Sequence, residues 1–179
     1  MTEHSIARLW GMRIMFMLLG FAILFFQLLP LDMTPSVWVG PDLLLCFALA
    51  WSMRRPEFVP IGVLAGIFLL SDLLLQRPPG LWAVCALLAC DRLQTRARMP
   101  GEISFAGEWL TAVAAATAIA CAYRLGLTLT FSPLPPLGLS LLQLIMTVLF
   151  YPLAVALTQW AFGVRRPAPG DLNNFGNRL

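Results

Sequence analysis

The chain has 179 residues, 59% of them hydrophobic and only 12% charged, with a mean hydropathy of +0.80. A soluble domain is roughly 45–50% apolar and about 25% charged, so this composition leaves little room for one and points to a polytopic membrane protein. The net charge of +3 comes from twelve arginines and no lysine, and no basic run is dense enough to hold nucleic acid.

Six apolar blocks follow in order: residues 13–29, 38–53, 58–75, 81–90, 109–123 and 137–163. Hydrocarbon about 30 Å thick takes roughly 20 helical residues to cross. The first block follows Arg8 and Arg13 and imitates a signal peptide. It ends in "QLLPLD" with no small-x-small cleavage site, so a retained first span is expected. The second opens on Gly40, Pro41 and Asp42. A helix N-terminus offers free N–H groups and partial positive charge, so capping is the expected role of Asp42. The alternative is a polar contact with a partner or a neighbouring helix. Arg54, Arg55 and Pro56 then make a tight turn, because the residue before proline avoids the helical conformation. Those two charges are expected to fix topology and to touch anionic lipid. The third block carries Gly62 and Gly66 as G-x-x-x-G, and the fifth carries Ala112, Ala114, Ala115, Ala116 and Ala118. Small residues permit close helix contact, within a bundle or with a partner helix.

The third block ends in "SDLLLQRPPGLWA", starting at Ser71. Asp72 sits about 5 Å inside the end of that run at helical rise. The helix dipole opposes a negative charge there, and an unpaired carboxylate in hydrocarbon is costly. A structural pair with Arg77 or Arg124 is expected, with a ligand or partner contact as the alternative. The fourth block has only ten residues, and arginine placement decides whether it crosses. With six crossings and the N-terminus inside, ten arginines lie inside and only Arg77 and Arg124 outside. If the fourth block stays on one side, seven arginines fall outside. The positive-inside rule therefore favours six crossings with both termini cytoplasmic, Arg92 snorkelling from a short fourth helix.

The fifth block is alanine-rich and is expected to extend past Arg124. Glu108 at its start is explained by the helix dipole. The sixth is long enough to tilt, and Pro152 is expected to kink it. This divides the chain into a cytoplasmic segment 1–12, a six-span membrane domain 13–163 and a cytoplasmic tail 164–179. All six tryptophans fall near span ends and read as an interfacial belt. The four cysteines lie in apolar blocks at spacings that match no metal motif and read as buried structural thiols. The single histidine, His4, stands in the N-terminal segment, and no nucleophile–base set, phosphate cradle or metal motif is present. No catalytic residue, cofactor or metal is expected.

The stretch "GPDLLLCFALAWSMRRPEFVPIGVLAGIFLLSDLLLQRPPGLWA", residues 40–83, resembles the rod shape-determining protein MreD family. The resemblance rests on the order and spacing of Pro41-Asp42, Arg54-Arg55-Pro56, Asp72-Leu73-Leu74 and Gly80-Leu81. Chain length and the six-span layout extend it to the whole. Trp82-Ala83 stands where that family often has His-Ala, so no role of that histidine carries over. The resemblance implies a non-catalytic inner-membrane component of the peptidoglycan elongation machinery. It implies binding to MreC, to RodA and its partner transpeptidase, and a link to the MreB filament. It also implies an all-α fold similar to the substrate-binding subunits of energy-coupling-factor transporters. The alternative reading is such a transporter subunit itself, for which Asp42, Asp72, Arg77 and Arg124 supply few polar contacts.

Overall fold

The structure is a computed structural model that describes residues 3–29, 40–98 and 104–162. These residues form six α-helices and one 3-10 turn, with no strand among them. The helices are α1 (Glu3–Leu28), α2 (Leu43–Arg54), α3 (Ile61–Leu74), α4 (Leu81–Ala97), α5 (Phe105–Leu129) and α6 (Leu137–Phe162), with the 3-10 turn at Pro56–Phe58. Three segments, Ile6–Leu28, Phe105–Leu129 and Leu137–Ala161, are long and apolar enough to cross a membrane. The expected tail 164–179 and Trp38 lie outside the described residues.

Local chemistry sets the helix ends. Asp42 caps α2 by accepting from the Leu45 N–H at 2.9 Å. Arg55 leaves the helix with φ −147°, as a residue before proline does, and Pro56 opens the 3-10 turn. Ser104 caps α5 by accepting from the Gly107 N–H at 3.3 Å. α6 carries Pro152 in its interior and continues on both sides of it.

α2 is apolar on every face and is buried from Leu44 through Arg54. A helix of that kind belongs inside a bundle. α1, α4, α5 and α6 pack around it, and α3 packs on α1 and α4. Cross-helix contacts define two ends. At one end the N-terminus of α2 meets the α3–α4 turn and Thr147, about three turns into α6. At the other, the C-terminus of α2 meets the start of α5 and the C-terminal half of α4. α2 is twelve residues, about 18 Å, and α3 fourteen, about 21 Å.

Several expectations change here. The fourth helix runs seven residues past Cys90, to Ala97. Leu93 and Gln94 keep its inner face buried while Arg92 and Arg96 stand on the outer face, so charge interrupts the apolar run without ending the helix. The tryptophans are not all at the bundle surface. Trp10 and Trp160 are exposed, but Trp51 is 0% exposed between Phe16 and Phe58, at ring distances of 5.2 and 6.4 Å. Trp82 is also buried, edge-on to Tyr123 at 5.1 Å. Cys46 and Cys90 are buried, whereas Cys121 is exposed.

Gly62 and Gly66 lie on the exposed face of α3, and a Cβ at either would meet nothing within 4 Å. They do not serve helix contact within the described bundle. Glycine in a helix is about 1 kcal/mol less favourable than alanine. Gly66→Ala is therefore expected to leave unfolding in detergent unchanged or to raise stability by up to about 1 kcal/mol. A clear loss in a denaturant titration would mean that another part of the chain covers this face.

Candidate functional site

At the first end, the turn between α3 and α4 folds around Asp72. α4 starts after Gly80, which has φ +86° and no side chain with which to cap the helix. Asp72 supplies the acceptor from eight residues upstream. Its Oδ2 receives the Gly80 N–H at 3.0 Å and the Ala83 N–H at 3.1 Å. The carboxylate is fully buried, and Oδ1 has no hydrogen-bond partner. The dipole of α3 opposes this charge, but that of α4 favours it, and the N–H donors of α4 hold it. The expected Asp72–arginine ion pair is thus not what the carboxylate makes. No arginine lies within ion-pairing distance of it among the described residues.

Arg77 turns to Asp42 instead, with Nη1 at 3.9 Å from Oδ2, and its guanidinium lies 4.9 Å over the Trp82 ring. That distance is loose for a salt bridge, and the stacking fixes the side chain as much as the charge does. Asp42 also donates its backbone N–H to Thr147 Oγ1 at 2.9 Å, which ties α2 to α6. Arg124 donates through Nη1 to Ser140 Oγ at 2.9 Å and to the Pro135 carbonyl at 3.2 Å. Asp42, Arg77 and Arg124 together line one cavity of about 290 Å³ between α2, α4, α5 and α6. Three sequence-selected residues therefore converge there, and Asp72 holds the adjoining turn.

At the second end stands a cluster that sequence reasoning missed. Arg54 donates from Nε to Glu108 Oε1 at 2.7 Å and from Nη2 to Oε2 at 3.2 Å. The two side chains are 5% and 3% exposed. Tyr151 adds its hydroxyl to Oε1 at 3.1 Å. Arg54 lies in the last turn of α2 and Glu108 in the first turn of α5, so each charge also sits at the favourable end of its own helix. Arg54 is thus an internal strut rather than a lipid-facing charge. Arg55 keeps the exposed role, bonded to Glu57 at 3.2 Å and lying over Phe58. Nearby, Gln94 donates to the Val59 carbonyl at 2.8 Å, and Arg13 of α1 donates to the Glu57 carbonyl at 3.3 Å.

These groups form caps, struts and turn clamps. No family model, curated protein or solved structure matches the chain.

Proposed function

We propose that this chain is a non-catalytic scaffold of the peptidoglycan elongation machinery in the bacterial inner membrane. In this reading it crosses six times with both termini cytoplasmic, as the arginine distribution favours. It binds the transmembrane helix of MreC and helps to organise RodA and its transpeptidase, with MreB reached at the cytoplasmic face. The bundle is then of the same kind as the substrate-binding subunits of energy-coupling-factor transporters. The observation that carries the reading is the ordered motif set of residues 40–83, which resembles the MreD family. The roles of those motif residues fit it. Asp42 caps a helix, Arg54 braces two helices, and Asp72 clamps a turn, so each secures a rigid frame. The open glycine face of α3 offers close approach to a partner's helix.

A second reading, a solute-binding membrane subunit of a transporter, is favoured by the cavity with its charged rim. Affinity purification of the full chain from native membranes in mild detergent, with mass spectrometry of the recovered proteins, separates the two. Recovery of MreC with RodA and a transpeptidase is the expected result. ATP-binding-cassette subunits without cell-wall enzymes would overturn the scaffold in favour of the transporter.

A further inference from the structure

The cavity at the first end is much larger than the roughly 10–15 Å³ that one water needs. Two arginines and one carboxylate line it, Arg77 and Arg124 with Asp42. Asp42 faces Arg77, which leaves the charge of Arg124 without a carboxylate within ion-pairing distance among the described residues. Its present partners, Ser140 Oγ and the Pro135 carbonyl, are neutral, and both are reached by Nη1. The Nε and Nη2 edge donates to no described residue. A guanidinium edge of this kind presents parallel N–H groups that match two oxygens of an anion. Gln143, on the same wall, adds an amide that makes no side-chain hydrogen bond to the described residues.

Apart from the Tyr123 phenol and Thr147, whose hydroxyl is bonded to the Asp42 N–H and the Gln143 carbonyl, the remaining lining is apolar. Leu45, Ala116, Ala120 and Leu144 supply aliphatic wall, and Trp82 and Tyr123 supply aromatic rings. A free, strongly hydrated anion gains nothing from such walls, whereas an alkyl chain does. We propose that this cavity binds an amphiphile with an anionic phosphate-type head, the head on the Nε–Nη2 edge of Arg124 and the first methylenes against Ala116, Ala120 and Leu144. The assignment does not depend on which side of the membrane the cavity faces, nor on any protein partner.

The test uses the full chain in a non-ionic detergent. Dihexanoyl phosphatidate, dihexanoyl phosphatidylcholine and inorganic phosphate are titrated separately. Tryptophan emission, to which Trp82 contributes from the cavity wall, and the thermal midpoint are followed. Phosphatidate is expected to change both saturably, at concentrations at least about tenfold below those of the other two probes. Arg124→Gln is expected to weaken phosphatidate about tenfold or more and to erase its preference over phosphatidylcholine. Ala120→Leu, which fills the cavity and leaves every charged group in place, is expected to abolish the response while the chain stays folded. That variant keeps the test decisive if Arg124→Gln does not fold. Equal responses to phosphatidate and phosphatidylcholine, or equal responses to phosphatidate and inorganic phosphate, would overturn the proposal. So would an unchanged phosphatidate response in Ala120→Leu.

Discussion

Arg54→Ala is expected to be the most damaging single substitution, costing about 3–5 kcal/mol of stability. The loss comes less from the attraction removed than from what stays behind. Glu108 would remain a buried carboxylate with Tyr151 as its only other side-chain donor among the described residues. Glu108→Ala should cost a similar amount by stranding Arg54. The double variant Arg54→Leu/Glu108→Leu removes both charges and puts apolar volume in their place, so it should recover most of the loss. Equilibrium unfolding in detergent, by denaturant titration of all three variants, checks this. If the double variant were as unstable as the sum of the singles, the two residues would be acting independently and the strut would not exist.

Asp72→Ala is expected to cost about 2–3 kcal/mol, because it leaves the Gly80 and Ala83 N–H groups at the start of α4 without their acceptor. Asp72→Asn keeps an acceptor oxygen and gives up only the charge, so it should lose less than half as much. Arg77→Gln should cost less still, since the Arg77 side chain makes no bond to the Asp72 carboxylate and is partly exposed. The same unfolding titration ranks the three. Equal losses for Asp72→Asn and Asp72→Ala, with a matching loss for Arg77→Gln, would restore the ion pair that the sequence alone suggested.

The membrane class of the chain was plain in its composition, and the long helix α6 in an unbroken apolar run, whereas α1 begins at Glu3, ahead of its apolar run, and carries Arg8 and Arg13. The full length of α4 was not, because Asp91, Arg92 and Arg96 break the run. Its continuation depends on which face each of those residues takes in a bundle of known neighbours. Asp42 could be read as a cap because capping is local, three residues from acceptor to donor. Asp72 showed its cost but not its partner. Backbone N–H groups have no letter in the sequence, and only the Pro-Pro-Gly turn hinted that a helix start would come back to it. The Arg54–Glu108 strut was hidden for another reason. The two residues are 54 positions apart, and each had an adequate local explanation, topology and lipid contact for Arg54 and the helix dipole for Glu108. The usable signal was that both sat at helix ends on the same proposed side, which narrows the possible pairs without choosing one.

The shortness of α2 has a consequence for how its charges are solvated. At about 18 Å it falls well short of a hydrocarbon layer about 30 Å thick, and tilting would only widen that hydrophobic mismatch. If α2 spans that layer, as the six-crossing proposal has it, Asp42 at its start and Arg54 at its end cannot both reach the headgroups along the helix axis. A charge that cannot reach water must carry its own substitute for a hydration shell. For Arg54 the carboxylate of Glu108 fills that place, and for Asp42 the Leu45 N–H and the guanidinium of Arg77 do. The central helix is in this sense a short rod with a private solvent at each tip, drawn from the helices that surround it.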